Sequence, residues 1–219
     1  MIKAMAARFR DRVDAGRHLA AALERADLGG AVVVGLARGG VVVAAEVARR
    51  LSLPLDALAV RKVGYPFQPE YAIGAVTPGA DGVYVRSDEG LGESDLRRAI
   101  EQAQAQAEAL DRILHEQYPP LELRGKTAVL VDDGLATGAT MVAAVRWARS
   151  RGAAHVVVAV PVGAAQSTGA LRGEADVVVC PYEERRFGAV GFWYDVFTQV
   201  ENTEVVALLA ELRAPASAA

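Results

Sequence analysis

Two adjacent carboxylates and a turn of small residues stand together in the middle of the sequence. Asp132 and Asp133 follow a Val-rich run, and the turn at 136–140 contains no bulky side chain. The backbone N–H groups of such a turn, with the hydroxyls of Thr137 and Thr140, can surround a phosphate where a helix begins. Adjacent acids repel that anion, but they accept hydrogen bonds from the vicinal hydroxyls of a sugar. The segment therefore predicts a sugar-phosphate site.

Local propensity offers a simpler interpretation, in which Asp133 only starts a turn and Thr140 only caps a helix. The longer pattern argues against it. Residues 129–141 resemble the signature of the type I phosphoribosyltransferases, which is an apolar strand followed by two acids and a Thr-Gly-x-Thr phosphate loop. Nearly every position of this long motif fits, so the resemblance is specific. It implies a protein that binds 5-phosphoribosyl-1-pyrophosphate.

The resemblance gives each residue of the motif a role. It implies that Asp132 and Asp133 bind the ribose hydroxyls and, through these or water, a magnesium ion, with Asp133 also a catalytic candidate. The residues it assigns to the 5-phosphate are Ala136, Thr137, Gly138, Ala139 and Thr140. Ala136 stands where some 6-oxopurine members have an acidic residue proposed as general base. That role is unfilled here, and the Leu-Ala-Thr-Gly form is closer to adenine phosphoribosyltransferase.

Two shorter segments offer donors and positive charge to a pyrophosphate. The first follows another Val-rich run and resembles the family's pyrophosphate loop; it consists of Ala37, Arg38, Gly39 and Gly40. The second, Arg61 with Lys62, resembles the start of the mobile loop of adenine phosphoribosyltransferase. Taken alone, the first is a generic glycine turn and the second a solvated cation pair. Within one fold they predict a pyrophosphate site, with Arg38 and Lys62 as catalytic candidates.

An acid/base group and a base-binding surface complete the expected site. Glu70 resembles the acid of a Glu-Tyr pair in the family's mobile loop, which makes it a catalytic candidate near the acceptor nitrogen, although an exposed turn also explains it. The aromatic tail at 187–197 stands where related enzymes place the hood over the base. Its candidates for contacting a heterocycle are Phe187, Trp193, Tyr194 and Asp195. Aromatic clusters usually form a core, so we expect only one of Phe187, Phe192, Trp193 and Tyr194 to touch a ligand.

Strands and helices must bring these segments to one place. Short apolar runs typical of buried strands occur at 31–36, 55–60, 127–131, 156–160 and 177–179, with helix-forming segments between them. This order predicts an α/β fold, a doubly wound parallel sheet of about five strands with flanking helices and ligands at the carboxyl ends of the strands. Residues 71–76 and 83–86 predict a small antiparallel flap or ribbon outside that sheet. The longest helix is expected at 94–116.

We expect one phosphoribosyltransferase-like domain over residues 1–219, because this length is too short for two enzymatic domains. Its core is predicted at about 31–180, with a flexible loop or insertion at about 61–93. The hood is predicted at about 181–199 together with the N-terminal helix. Residues 71–117 match no part of a characterised member.

Composition narrows the functional classes. With 24 Lys and Arg against 27 Asp and Glu, the net charge of −3 gives no reason to expect a nucleic-acid partner. We also expect no membrane association and no export, hence a cytoplasmic protein, because we find neither a spanning stretch nor a leader. The single cysteine, Cys180, is expected to be a buried thiol. His18, His115 and His155 lack metal-ligand spacing and are expected at the surface or at helix ends.

These observations favour a magnesium-dependent phosphoribosyltransferase, a glycosyltransferase of nucleotide salvage. It would transfer 5-phosphoribose from 5-phosphoribosyl-1-pyrophosphate to a nitrogen acceptor, with a nucleobase expected and purine preferred, and release pyrophosphate. A non-catalytic sensor or regulator that keeps the same site is the alternative, and a general sugar-phosphate binder is a third. The family often forms dimers and the aromatic tail offers an interface, so a homodimer is one option that the sequence leaves open.

Overall fold

The computed structural model describes residues 8–66, 68–79, 81–86 and 90–213, with the backbone alone at 68–70. The helices are α1 (Arg12–Leu23), α2 (Gly39–Leu51), α3 (Glu93–Leu114), α4 (Ala139–Ser150), α5 (Ala165–Leu171) and α6 (Asn202–Arg213). The strands are β1 (Val32–Ala37), β2 (Leu55–Ala59), β3 (Arg61–Tyr65), β4 (Gln68–Val76), β5 (Tyr84–Val85), β6 (Thr127–Val131), β7 (His155–Ala159), β8 (Val162–Ala164), β9 (Val177–Val179) and β10 (Tyr182–Glu184). None of the helices within these ranges has both the length and the apolar character that a membrane crossing requires.

A parallel five-stranded sheet in the order β2-β1-β6-β7-β9 forms the centre of the molecule. Side chains of β1 alternate between its two faces: Val33 packs with α1, α2 and α6, and Val34 packs with α4. Burial on both faces explains why these strands are continuous Val-rich runs. The predicted doubly wound α/β architecture is confirmed.

A second sheet, the flap, is antiparallel and has the order β3-β4-β5. The expected ribbon is present, since Gly74 pairs with Val85 and Ala75 with Tyr84. Strand β3 was not predicted, because its sequence is polar except at Val63. That one side chain is fully buried with Ile73 against α3, so the flap has a small core of its own.

The hood combines residues from both ends of the described chain. Phe9 forms a parallel bridge with Tyr194, and the two short strands β8 and β10 pair in parallel. A cluster of buried rings, Phe9, Phe187, Trp193 and Tyr194, fills its interior. With three residues each, β8 and β10 are too short to produce an alternating pattern, which is why the sequence did not reveal them.

A buried ionic network joins β2, α3 and α6 away from the strand ends where ligands are expected. Asp56 is 1% exposed; it accepts hydrogen bonds from Leu121 N at 2.7 Å and from Arg213, and its Oδ1 lies 3.1 Å from His115 Nε2. The other nitrogen of His115 lies 3.0 Å from Asp111 Oδ1. His115 caps the end of α3, as expected of a helix-end residue, but its side chain is only 7% exposed and is not a surface group.

This network predicts that the protein loses stability as the pH rises from about 6.5 to about 9. Burial alone would lower the pKa of His115, but its hydrogen bonds to Asp111 and Asp56 and their charges outweigh burial and raise the pKa to about 9. Protonated His115 therefore favours the folded state below the unfolded pKa, and this contribution disappears as pH passes the folded value. The free energy of unfolding, measured by urea titration, should fall by roughly 3 kcal/mol at most across this range. In His115→Gln the decline should be smaller by that amount; an unchanged decline would contradict the prediction.

Candidate active site

Three of the predicted segments lie at the carboxyl ends of neighbouring strands. The acids follow β6, the Gly39 loop follows β1, and the Arg61-Lys62 pair begins β3 directly after β2. Because β2, β1 and β6 are adjacent in the sheet, these ends form one continuous edge. The structure therefore brings the predicted ribose, phosphate and pyrophosphate residues together.

The acid pair is half-buried at this edge. Asp133 N donates to Asp132 Oδ1 at 2.9 Å, and Arg12 Nε donates to Asp133 Oδ2 at 2.7 Å. Burial, followed by repulsion from Asp133, raises the pKa of Asp132 well above its ordinary value, against the attraction of Lys62 and Arg12. Burial also raises the pKa of Asp133, and Arg12 opposes this most strongly. Both carboxylates are thus poised to gain from hydroxyl donors or a cation.

The predicted phosphate loop has the geometry of an anion site. Gly138 adopts the left-handed conformation with φ +81°, and α4 begins at Ala139, so the first-turn N–H groups have no partner within the helix. Ser167 Oγ donates to Ala136 O at 2.6 Å and fixes the start of the loop. Among the described residues, the hydroxyls of Thr137 and Thr140 make no hydrogen bond, so they remain free to bind an anion.

The predicted pyrophosphate loop runs directly against the acid pair. The Ala37–Arg38 peptide bond is cis, and α2 begins at Gly39. A Cβ atom on Gly39 would lie 2.2 Å from Asp133 Oδ2 and 2.9 Å from Arg12 Nε. A Cβ on Gly40 would lie 2.7 Å from the carbonyl oxygen of Val131. Both positions require glycine because the two loops touch.

Replacing Gly39 with alanine should weaken binding of 5-phosphoribosyl-1-pyrophosphate about tenfold or more, because the added methyl group displaces the Asp133 carboxylate. The measurement is calorimetric titration with the magnesium salt. Gly169→Ala in α5 is the matched control, since a Cβ there meets nothing within 4 Å. Equal affinity in the two variants would show that this close approach has no role in binding.

Three cations lie on the segments that follow β1 and β2, beside the acids at the same edge of the sheet. Arg38 Nη1 lies 3.6 Å from Glu201 Oε2, a loose and partly exposed contact that contributes at most about 1 kcal/mol, so a bound anion can replace it. Arg61 is half-buried, and burial together with the nearby Arg38 lowers its pKa. Lys62 is exposed, and its charge acts on Asp132 and Asp133. Two guanidinium groups that repel each other are a favourable place for an anion.

A fourth cation, Arg12, was missed by the sequence analysis. Its side chain is 10% exposed and bonds Asp133, as described above, and Thr198 O at 2.7 Å. Its Cζ lies 3.9 Å from the centre of the Phe197 ring. Arg12 is distant in sequence from every motif and sits among other arginines, so no local pattern distinguishes it.

The hood candidates occupy different surroundings. Phe187 and Trp193 are buried and stack on each other, with ring centres 5.7 Å apart, so they pack the core. Tyr194 is also buried, and its hydroxyl donates to the carbonyl oxygen of Asp133. Asp195 is exposed. Two rings of this tail are accessible, Phe192 at 71% exposed and Phe197 at 39% exposed. Phe197 lies 5.1 Å from Tyr194 between ring centres.

Glu70 and Cys180 differ in how far the structure describes them. The side chain of Glu70 lies outside the described part of the structure, so its catalytic role stays a prediction. Cys180 is half-buried rather than fully buried, and its thiol lies 3.5 Å from Tyr182 O. Burial raises the pKa of this thiol to about 12, as expected of an unreactive cysteine.

Asp132 and Asp133 suit a magnesium ion whose other ligands come from the substrate and from water. Within the described ranges there is no group of three or more His, Cys, Asp or Glu side chains that could hold a metal. Magnesium commonly binds through one or two carboxylates together with substrate phosphates and water. Asp132 and Asp133 suit that arrangement, in which the ion arrives with the substrate.

The comparison with known proteins agrees with this geometry. A family model described as "Phosphoribosyl transferase domain" matches residues 7–195. The chain belongs to the type I phosphoribosyltransferase family. Two curated relatives come from Mycobacterium tuberculosis, strains CDC 1551 and H37Rv. Each is 46% identical to this chain over 210 residues, and the match covers 92% of this chain. The match covers 46% of each relative, so the chain spans about half their length, and their names state no substrate.

Solved structures show the same relationship. The crystal structure of TT1426 from Thermus thermophilus has a TM-score of 0.80 and 41% identity, and the match covers 94% of this chain and 99% of that one. The AQ2163 protein from Aquifex aeolicus has a TM-score of 0.50 with 12% identity, covering 84% of each chain, and it shares the fold. Neither name states an activity.

Proposed function

We propose that this family member transfers 5-phosphoribose from 5-phosphoribosyl-1-pyrophosphate to a nitrogen acceptor and releases pyrophosphate. The observation that carries the proposal is the meeting of three parts at one sheet edge: an acid pair, an anion loop and a cluster of cations. These match the three chemical groups of one molecule, its ribose diol, its 5-phosphate and its pyrophosphate. A general sugar-phosphate binder would not need the third part.

The residues would act mainly by positioning and charge. Asp132 and Asp133 hold the ribose hydroxyls, and the loop at 136–140 holds the 5-phosphate. Arg38, Arg61 and Lys62 stabilise the negative charge that develops on pyrophosphate as the bond to C1 breaks. Magnesium, bound with the substrate, would add charge neutralisation at the same leaving group.

We propose a nucleobase as the acceptor, with purine preferred, because the phosphate loop has the Leu-Ala-Thr-Gly form of adenine phosphoribosyltransferase. Phe197 is our candidate for stacking on that base, since Phe187, Trp193 and Tyr194 are buried, and Phe197, unlike the exposed Phe192, contacts the arginine that bonds Asp133. Removal of the acceptor proton is assigned to no described residue. Ala136 carries no acid, and Glu70 keeps this role as a prediction.

The test is release of pyrophosphate from 5-phosphoribosyl-1-pyrophosphate with magnesium, against purines, pyrimidines and other nitrogen acceptors. Arg38→Ala should lower turnover about a hundredfold, as expected for loss of one preorganised donor to a developing anion. Arg97→Ala is the control, because Arg97 is an exposed residue of α3 that pairs with Glu93 at 3.0 Å.

Each outcome decides between the hypotheses. Release that depends on one acceptor, and that falls in Arg38→Ala but not in Arg97→Ala, supports the transferase. Tight binding without release from any acceptor favours the sensor or regulator that uses the same site. Absence of binding contradicts both.

A further inference from the structure

We infer that Arg12 is a positioning residue, which orients Asp133 for the ribose and ties the hood to the acid pair. The inference rests on the proposed function. It assigns Arg12 no contact with the reacting atoms. Arg12 would affect substrate binding through the Asp133 carboxylate alone. An experiment that also changes Asp133 can therefore distinguish this role from a general effect on folding.

The backbone at Arg12 is fixed on both sides. Asp11 is the N-cap of α1, and its Oδ1 accepts from Asp14 N at 2.8 Å. The preceding residues bond the hood: Asp195 N donates to Phe9 O, and Val196 N donates to Arg10 O, both at 2.9 Å. Arg12 therefore projects from a clamped segment, and no further backbone entropy is lost when its side chain binds Asp133.

The guanidinium makes three contacts that point in different directions. Nε bonds the Asp133 carboxylate, Nη1 bonds the carbonyl oxygen of Thr198, and the planar group stacks on the Phe197 ring. Only arginine offers two separated donors on one flat, always-charged group. Lysine would keep the charge but could not make all three contacts from one ammonium.

The contact with Arg12 gives the two oxygens of the Asp133 carboxylate different surroundings. Arg12 bonds Oδ2, whereas no other residue in the described part of the chain donates a hydrogen bond to Oδ1. One oxygen is thus held and the other is available to a ribose hydroxyl. A carboxylate fixed at one oxygen cannot rotate away, so a substrate hydroxyl meets an acceptor already in place.

The ion pair between Arg12 and Asp133 also lies close to the backbone of the pyrophosphate loop. The backbone of Gly39 closes directly on the pair, since even a Cβ atom there would lie 2.9 Å from Arg12 Nε. The pair therefore fills the space between the hood and the pyrophosphate loop. Loss of the guanidinium would leave Asp133 free to turn within that space.

The experiment is a double-mutant cycle on affinity for the magnesium salt of 5-phosphoribosyl-1-pyrophosphate, measured by calorimetry. The variants are Arg12→Gln, Asp133→Asn and the two combined. Arg12→Gln should weaken binding about 10- to 100-fold, the range expected for one charge-assisted hydrogen bond. In the Asp133→Asn background the same change should have little further effect. Arg12→Lys should fall between wild type and Arg12→Gln.

Arg10→Gln is the matched control, because Arg10 is 66% exposed and pairs with the adjacent Asp11. Its affinity should equal that of the wild type. Independent effects of Arg12→Gln and Asp133→Asn would overturn the inference, since they would mean that Arg12 acts on the whole structure; so would unchanged affinity in Arg12→Gln. If the wild type itself fails to bind, it is the proposed function that fails.

Discussion

Changing Asp132 to asparagine is expected to lower kcat/KM for pyrophosphate release by roughly 10²–10³-fold while it raises the melting temperature. The loss of activity follows from the proposed function, in which the negative charge of Asp132 would bind the ribose hydroxyls and, with the substrate, a magnesium ion. The gain in stability follows from the surroundings of this carboxylate, since burial and the neighbouring Asp133 raise its pKa well above the ordinary value. An ionised group in such a place costs free energy in the folded state, and a neutral amide of the same shape avoids that cost.

Asparagine keeps the one hydrogen bond that Asp132 makes within the described chain. Its amide oxygen can still accept from Asp133 N, which lies 2.9 Å from Oδ1. The wild type and the variant therefore differ in the charge at this position, while the side-chain shape is nearly the same. Asp27→Asn serves as the control, because Asp27 is exposed in the loop after α1. A melting temperature that falls together with activity would contradict the prediction, since it would show that ionised Asp132 stabilises the empty protein.

Replacing Asp56 with alanine should lower the free energy of unfolding by about 3–5 kcal/mol. The change removes the common acceptor of a buried network and leaves Arg213, His115 and the N–H of Leu121 without it. Arg213 would keep only the carbonyl oxygens of Leu55, Tyr118 and Pro119, and His115 only Asp111. Loss of the carboxylate that neutralises a buried arginine is among the largest single contributions to mutational instability. For a domain of this size the melting temperature should fall by roughly 10 °C.

The measurement is urea unfolding at pH 6, where His115 is protonated. Asp176→Ala is a suitable control, because Asp176 also bonds an arginine and a backbone N–H, but at a partly exposed site. Its cost should be near 1 kcal/mol. If both variants lost the same free energy of unfolding, burial of the Asp56 network would add nothing to its contribution to stability.

The parts of the site that could be predicted from sequence are those made of neighbouring residues. The acid pair and its phosphate loop form one uninterrupted segment, and strand periodicity placed it at the end of a buried strand. The pyrophosphate loop and the Arg61-Lys62 pair followed because each comes directly after another predicted strand. A parallel sheet then brings such strand ends together without further information.

What could not be predicted depends on contacts between distant residues. Arg12 and Asp133 are 121 residues apart, and no local pattern joins them. The burial of Phe187, Trp193 and Tyr194 likewise depends on Phe9, which lies more than 170 positions earlier in the sequence. His115 looked like an ordinary helix-end residue because its partner Asp56 lies 59 positions earlier.

The hood's construction from both ends of the described chain has a consequence for biosynthesis. The hydrogen bond between Arg12 and Thr198 spans 186 positions, so the contacts of α1 with the hood must wait for residues near 198, although α1 can pack on α2 much earlier. Closing a loop of that size contributes to slow folding. The sheet strands and the phosphate loop emerge from the ribosome earlier and can pack first. A nascent chain would thus have the loop at 136–140 before it has the hood, and the candidate site would be completed only after the hood residues have been translated.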